Sequence, residues 1–150
     1  MENVSITNAK VPSTDFGTYI KTWVGERVPQ DNYESAGVPR GGGWGVVKNM
    51  LFKDVDVNGA ERSVAITQNN GDNEAGDYAG TSQMLIEGVR FVGYHGMLEG
   101  SDDVTVECSE VNPCHDISFE DWDVHGQDGD VIEGECQWTT EGGVTGLEGC

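Results

Sequence analysis

At 150 residues, the chain has the size of a single domain. Its 27 acidic and 8 basic residues give a formal net charge of −19 at pH 7, which argues against nucleic acid as a partner and disfavours an anionic membrane surface. No apolar run in the sequence approaches the length of a membrane span.

Four segments along the chain repeat one pattern, with apolar residues at positions i, i+2, i+5 and i+7. They are Val4–Val11, Met50–Val57, Met84–Phe91 and Ile117–Val124, and they recur every 46, 34 and 33 residues. Two apolar residues separated by one other residue are typical of a strand with one buried face. The step of three that follows reverses the phase, so we expect the chain to bend there.

The residue before each expected bend belongs to the small group that tolerates left-handed backbone angles. These corner residues are Asn8, Asp54, Gly88 and Asp121. Repetition of strand, corner and strand is the sequence signature of a solenoid. Helical periodicity is nearly absent, and 22 glycines punctuate the chain at the spacing of turns. The sequence therefore predicts an all-β solenoid.

Secondary strands are expected between these blocks, at Thr18–Trp23, Ser63–Thr67, Val104–Cys108 and Val131–Cys136. Two long inserts interrupt the strands, at Gly25–Gly45 and Asn69–Gly80. Loops on a rigid wall are where binding sites usually lie. Because the strand pattern resumes after each insert, we expect no domain boundary in either of them.

The second strand contains the most specific local string in the chain. Alternation places Tyr19, Lys21 and Trp23 on one face of this strand and Ile20 on the other. In a chain with only 8 basic residues, a lysine between two aromatic residues indicates an anion contact. Aromatic faces stack on sugar rings, and an ammonium group pairs with a uronate carboxylate. The alternative is a solvent-facing lysine flanked by packing aromatics.

Four cysteines lie late in the sequence and allow three pairings. We favour the local pairing, Cys108–Cys114 with Cys136–Cys150, because each loop would then staple one solenoid turn or the C-terminal cap. Closing a 15-residue loop contributes about 3 kcal/mol in the chain-entropy model. Disulfides predict an oxidising compartment, and zinc is disfavoured because the sequence has no Cys-x-x-Cys pair. Asn3 begins an Asn-Val-Ser sequon, which predicts a glycosylation site.

The lysine string and the glycine-rich run Gly41–Gly45 resemble the Arg-Ile-Lys region of the polygalacturonases, family 28 of the glycoside hydrolases. The resemblance runs over essentially the whole chain. Other similar segments are Val47–Phe52, Ile66–Gln68, Cys108–Ser109, Pro113–Cys114 and Gly149–Cys150. Tyr19 occupies the position where the motif usually has arginine, a departure shared with the exo-acting fungal branch. Asn69 and Asn70 stand where family members often have a tyrosine.

The resemblance implies a right-handed parallel β-helix, with residues 1–150 forming the C-terminal part of a single pectin-lyase-like domain that ends in a disulfide-stapled cap. It implies pectin degradation by exo-acting, inverting hydrolysis of α-1,4-galacturonosyl linkages, without a metal or other cofactor. Lys21 is then expected to bind the galacturonate carboxylate, and Tyr19 lies at a substrate-binding position. The implied partner is a pectin or polygalacturonate oligosaccharide, with no nucleic acid or membrane, bound by a secreted monomer.

The family's catalytic aspartates and the histidine of its Gly-His-Gly motif lie upstream of the lysine motif. About 15 residues precede that motif here, and they contain no such set. Asp102, Asp103 and His95 come after Lys21, which is the wrong order. We therefore interpret the two aspartates as a turn and strand start, and His95 as a structural loop residue. His125 is expected on the surface without a partner.

Met1 begins directly inside the first strand block, without a secretory leader. We therefore expect this chain to be the downstream part of a longer enzyme, with a signal peptide upstream. Inverting hydrolysis needs a protonated carboxyl and a carboxylate roughly 6.5–9.5 Å apart. A lysine can position and neutralise a substrate but cannot replace that pair, so we expect no catalytic residue in this chain and no activity from it alone.

Two other functions stay open. A noncatalytic uronate-binding solenoid would use Tyr19, Lys21, Trp23 and Trp44. A rhamnogalacturonan-active relative would differ only in the linkage it cleaves, which the sequence does not settle. A calcium-bound β-roll is disfavoured because the glycine–aspartate nonapeptide pattern is missing.

Overall fold

The computed structural model describes residues 1–25, 44–70, 78–100 and 103–150. Within those ranges the chain forms ten β-strands and no α-helix. The strands are β1 Glu2–Lys10, β2 Phe16–Trp23, β3 Gly45–Asp56, β4 Arg62–Asn70, β5 Met84–Met97, β6 Val104–Glu107, β7 His115–Glu120, β8 Asp123–His125, β9 Gly134–Gln137 and β10 Val144–Thr145. A helix that could span a bilayer is not found in these ranges.

Two parallel sheets form the walls of a solenoid. Sheet A has the strand order β1–β3–β5–β7–β10, and β8 also pairs with β5. Sheet B has the order β2–β4–β6–β9. From β1 to β7 the strands alternate between sheet A and sheet B. Neighbouring strands within each sheet run parallel, so each coil stacks on the previous one. The predicted all-β fold, a partial parallel β-helix, is confirmed.

The long strands of sheet A bend at residues with left-handed backbone angles. The four predicted corner residues, Asn8, Asp54, Gly88 and Asp121, have φ between 50 and 63°. Asparagine, aspartate and glycine adopt this conformation at the lowest cost, which explains why they occur here. The interpretation of these residues as corners is therefore confirmed.

Eight of the left-handed residues form two columns, which lie five residues apart along each coil. One column contains Asn8, Asp54, Gly93 and Asp121, and the other contains Asn3, Asn49, Gly88 and Asp116. Within the second column the Asn49 side-chain amide donates to Asn3 Oδ1 at 3.1 Å. Gly88 therefore belongs to a different column from the other three predicted corners.

The third block of the apolar repeat is misplaced by five residues in the sequence analysis. Strand β5 aligns with β3 through the pairs Met50–Val89 and Phe52–Phe91, so the block begins at Val89 rather than Met84. Two corners five residues apart make buried positions alternate in steps of two and three, and a shift of five residues reproduces that pattern. The predicted intervals of 34 and 33 residues are therefore wrong.

Stacked aromatic side chains occupy equivalent positions of successive coils inside the solenoid. Phe91 lies between Phe52 and Phe119, with ring centroids 5.4 and 4.9 Å apart. Tyr94 stacks on Trp122 at 5.5 Å. Buried apolar residues from both sheets join these rings in one cluster. Large flat side chains fill the interior efficiently because each ring packs against the ring of the next coil.

Sheet B consists of the predicted secondary strands. Strands β2 and β6 lie where they are expected. Strand β4 extends past Thr67 to Asn70, so Asn69 and Asn70 belong to this strand rather than to the predicted insert, and β9 begins at Gly134 rather than at Val131. Residues 26–43 and 71–77, which make up most of the two predicted inserts, lie outside the described residues, as does Asp102. The lysine string lies on β2, and its exposed side chains belong to the outer face of sheet B.

Candidate functional site

Strand β2 presents its aromatic residues and its lysine to solvent. Tyr19, Lys21 and Trp23 are exposed, whereas Ile20 and Thr22 between them are buried. This is the two-residue alternation of a strand that covers a core with one face. The arrangement of the five side chains agrees with the face assignment made from the sequence.

The ammonium group of Lys21 lies between two aromatic rings. Its Nζ atom is 5.5 Å from the centroid of the Tyr19 ring and 5.8 Å from that of Trp23. Both distances are within the range of a cation–π interaction, which draws the cation toward the negative face of each ring. In the described part of the chain, no carboxylate forms a salt bridge with Lys21. The charge is held in place yet stays available to an anion.

Two further residues extend this arrangement along the edge of the sheet. The Phe16 ring stacks on the Tyr19 ring, with centroids 4.3 Å apart. The Arg62 guanidinium lies 5.5 Å from the Phe16 centroid. We call these residues, Phe16, Tyr19, Lys21, Trp23 and Arg62, the cation–aromatic row. Such a row offers flat stacking surfaces and positive charge side by side.

Asn70 completes a ring of hydrogen bonds beside the lysine. The Tyr19 hydroxyl donates to Asn70 Oδ1 at 3.3 Å, and Asn70 Nδ2 donates to Thr67 Oγ1. The Thr67 and Tyr19 hydroxyl oxygens are 3.3 Å apart, so Thr67 can donate back to Tyr19. Each group then donates once and accepts once within the ring. The Tyr19 phenol is thereby fixed against strand β4.

A β-bulge brings Asn70 to this position. Lys21 pairs with Thr67 and Trp23 pairs with Asn70, so β4 has one residue more than β2 over this interval. An extra residue of this kind interrupts the alternation of side chains. Asn69 is consequently buried, whereas Asn70 is half-buried and reaches Tyr19.

Carboxylates occupy the other side of the same face. Glu107 on β6 is in register with Thr67, and Glu135 on β9 is in register with Thr105. The Asn69 side-chain amide donates to Glu107 Oε1 at 2.9 Å. The outer face of sheet B therefore changes from a cationic edge at β2 to an acidic edge at β6 and β9.

A cavity of about 600 Å³ lies on the inner side of β2. Its walls are mostly apolar and include Val4, Ile6 and Phe52, although it also reaches Lys21. Apolar walls give a sugar acid few partners for its hydroxyl and carboxylate groups. We therefore place the candidate site on the outer face, at the cation–aromatic row.

The two histidines considered from the sequence lie on sheet A, and both expectations about them need correction. His95 belongs to strand β5 rather than to a loop, and it is in register with Asp56 and Asp123. His125 is not without a partner, because its Nε2 lies 3.0 Å from Asp123 Oδ1. The pKa of His125 is raised by this carboxylate and by the Gly129 carbonyl oxygen. Because side chains alternate along β8, Asp123 and His125 point to the same side of the strand. A search of the sequence for oppositely charged residues at i and i+2 could have found this pair.

The remaining candidate residues lie apart from the row. Asp103 directly precedes β6, in agreement with its interpretation as a strand start. Trp44 is largely exposed just before β3. Asn3 is exposed on β1, and its glycosylation stays a prediction.

Ion pairs on the outer face of sheet A have a structural role. Arg90 contacts both carboxylate oxygens of Glu120 at 2.9–3.0 Å and holds the pKa of that carboxyl below its usual value. Glu87 pairs with Lys48 and raises the pKa of the lysine. Because Arg90 and Lys48 already form ion pairs within the sheet, they are poorer anion sites than Lys21.

The structure contains both disulfides of the favoured pairing. Cys108–Cys114 connects the end of β6 to the start of β7, with both residues buried. Cys136–Cys150 ties β9 to the last residue of the chain. These bonds hold the final coil and do not contact the cation–aromatic row.

Thr67 and Asn70 are the site residues that sequence reasoning missed. The sequence places Thr67 in a strand and in the similar segment Ile66–Gln68, and it places Asn70 in a predicted insert and among the departures from the motif, without indicating a contact with Tyr19 for either. The bulge that unites them with Tyr19 leaves no local mark in the sequence, since it depends on the pairing of β4 with β2.

The comparisons with known proteins agree in one family. Residues 1–143 match the model for glycosyl hydrolases family 28. Over its whole length the chain is 42% identical to proteins named "Putative galacturan 1,4-alpha-galacturonidase C" from Aspergillus niger and Neosartorya fischeri, of which it covers 38% and 37%. It is 27% identical to "Probable exopolygalacturonase X" of Aspergillus fumigatus, over 86% of the chain and 30% of that protein. No solved structure matches. The chain thus spans less than two fifths of the length of these curated relatives.

Proposed function

Because the chain belongs to family 28 of the glycosyl hydrolases, we propose that it provides the carboxylate-binding wall of a pectin-degrading hydrolase. The proposed reaction is exo-acting, inverting hydrolysis of α-1,4-galacturonosyl linkages in polygalacturonate. The observation that carries the proposal is the ammonium group of Lys21, which lies exposed between Tyr19 and Trp23 on the outer face of sheet B. The names of the two relatives that are 42% identical to the chain support galacturonan as the substrate class.

Electrostatics make a lysine at this position important for such a substrate. A net charge of −19 repels a polyanion, so binding needs a local cation that overcomes the surrounding field. Lys21 offers a charge-assisted hydrogen bond to one galacturonate carboxylate, and the flanking rings offer a surface for the sugar ring. The combination favours a uronate over a neutral sugar of the same size.

Lys21 does not replace the catalytic carboxyl groups. Protonation of the leaving oxygen and activation of water from the opposite face require two acidic groups on either side of the scissile bond. A lysine contributes by positioning the substrate and neutralising its charge. We expect the 150-residue chain to bind galacturonate oligomers without releasing reducing sugar from polygalacturonate. Release that disappears in Lys21→Ala would overturn this division of roles.

Calorimetric titration with trigalacturonate tests the binding role directly. The wild-type chain should bind trigalacturonate, and Lys21→Gln should weaken the affinity about tenfold or more, the usual scale for a hydrogen bond to a charged group. Lys53→Gln is the matched control, because Lys53 lies on sheet A and the same charge is removed. Equal affinity for a neutral trisaccharide, or equal losses in both variants, would contradict the proposal.

Two related functions are distinguished by two measurements, hydrolysis by a longer form of the protein for the first and the same titration for the second. A noncatalytic uronate-binding solenoid would bind equally well, but hydrolysis would be absent from every longer form of the protein. A rhamnogalacturonan-active enzyme would prefer oligomers that contain rhamnose over trigalacturonate.

The two disulfides fit an oxidising compartment, so secretion is part of the proposal.

A further inference from the structure

Two residues that the resemblance marks as departures from the polygalacturonase motif, Tyr19 and Asn70, lie against each other. The resemblance places Tyr19 on β2 at the position of the usual arginine, and it places Asn69 and Asn70 on β4 where a tyrosine is often found. The side chains of Tyr19 and Asn70 are joined by a hydrogen bond of 3.3 Å from the Tyr19 hydroxyl to Asn70 Oδ1. The two departures are therefore connected in space rather than independent.

The Asn70 side chain uses both of its N–H donors and its Oδ1 acceptor in hydrogen bonds to β2 and to its own strand. Its Nδ2 donates to the Thr22 carbonyl oxygen at 2.8 Å and also to Thr67 Oγ1, while its Oδ1 accepts from Tyr19. An amide held by three partners has one orientation available to it. The Tyr19 ring that it holds is in turn one of the two faces that contact the Lys21 ammonium.

We propose that Asn70 is a positioning residue, which acts through Tyr19 on the ammonium group of Lys21. This inference rests on the proposed function, since Lys21 is taken as the group that meets the substrate carboxylate. Without Asn70 the Tyr19 phenol keeps its contacts with Thr67 and the Phe16 ring but loses its hydrogen bond to Asn70, so it turns more freely about the Cα–Cβ bond. The Tyr19 ring then confines Lys21 less. Because the freer lysine side chain loses more conformational entropy when it binds a carboxylate, the affinity for the substrate falls.

Nuclear magnetic resonance of the free chain tests the positioning without a ligand. In the wild type, the two rings should shift the Lys21 ε-methylene protons upfield. Asn70→Ala and Tyr19→Phe should both move this resonance toward its random-coil position, because both remove the hydroxyl–amide hydrogen bond. Asn58→Ala is the matched control, since Asn58 contacts Asp56 and the Met97 amide on sheet A. An unchanged Lys21 resonance in both site variants would overturn the proposal.

A double-mutant cycle on trigalacturonate affinity tests the consequence for binding. Each single variant should weaken binding about fivefold, and the double variant should be no weaker than either, because both remove the same interaction. Losses that multiply in the double variant would overturn the coupling. If the wild-type chain binds no trigalacturonate, the proposed function fails, and the Lys21 resonance alone then decides the positioning role.

Discussion

Thr18 and Tyr94, which are 76 residues apart in the chain, are joined by a hydrogen bond of 2.8 Å between their hydroxyl groups. Tyr94 is fully buried on β5, and Thr18 is half-buried on β2, so the bond ties sheet A to sheet B inside the solenoid. Burial raises the pKa of the Tyr94 phenol, which keeps the hydroxyl protonated.

Tyr94→Phe should lower the free energy of unfolding by about 1 kcal/mol, the net value of one such hydrogen bond. The ring and its stacking on Trp122 are retained in this variant. Tyr94→Ala also removes the ring and should cost about 3–5 kcal/mol. Urea unfolding followed by fluorescence measures both values. If Tyr94→Phe were as stable as the wild type, the bond between the sheets would not contribute.

Gly93→Ala should destabilise the fold through both its backbone and its neighbour. Gly93 has a φ of 67°, and a Cβ atom there would lie 3.0 Å from Asp54 Oδ1. Gly142→Ala is the control, because Gly142 has a φ of 66° but no atom within 4 Å of an added Cβ. We expect about 1–2 kcal/mol from backbone strain in both variants and a larger loss for Gly93→Ala. Equal losses in thermal unfolding would show that the column contact is unimportant.

The pairing of His125 with Asp123 should stabilise the fold more at acidic pH. The folded pKa of His125 is raised by Asp123, so its contribution is fully present below the ordinary histidine pKa of about 6.5 and is lost as the pH rises through the folded value. The difference in Tm between the wild type and His125→Gln should therefore be larger at about pH 5.5 than at about pH 8.5.

Asp123→Asn is the second test of this pair. With the carboxylate removed, His125→Gln should have nearly the same effect at both pH values, since the hydrogen bond to Asp123 is the main cause of the raised pKa. A difference that persists unchanged in the Asp123→Asn background would assign the pH dependence to another group.

The disulfide between Cys136 and Cys150 should be reduced before the one between Cys108 and Cys114. Cys150 is exposed, whereas Cys108 and Cys114 are fully buried. Mild reduction followed by alkylation and mass spectrometry should therefore label the first pair in the folded protein and the second only on unfolding. A Cys136→Ser/Cys150→Ser variant should lose about 3 kcal/mol of stability, as the closed 15-residue loop predicts. Simultaneous labelling of both pairs would contradict this order.

The fold could be predicted because its corners are chemically marked. Asn8, Asp54 and Asp121 combine a phase break with a residue type that tolerates positive φ, and both marks are local. The alignment of one coil on the next is not local. It depends on which ring packs against which, as with Phe52 and Phe91. The sequence pattern therefore predicts the strands but places the third block five residues too early.

The site shows the same division between local and distant information. The shared face of Tyr19, Lys21 and Trp23 follows from alternation within one strand, so it could be predicted. The contact of Asn70 with Tyr19 requires the register of β2 on β4 and a bulge within it. Tyr19 and Asn70 are 51 residues apart in the chain, so the register that brings them together is set by packing in three dimensions.

The five-residue spacing of the two corner columns has a consequence for how the chain folds. A coil that slipped by five residues would keep its apolar side chains inward and would place Gly88 at the corner beside Asp54, but Phe91 would then face Val57 instead of Phe52. Stacking of the aromatic rings therefore stabilises the correct register, because a coil in the shifted register lacks this contact. Chains in which these rings are replaced by aliphatic residues should accumulate folding intermediates with shifted strand register during refolding.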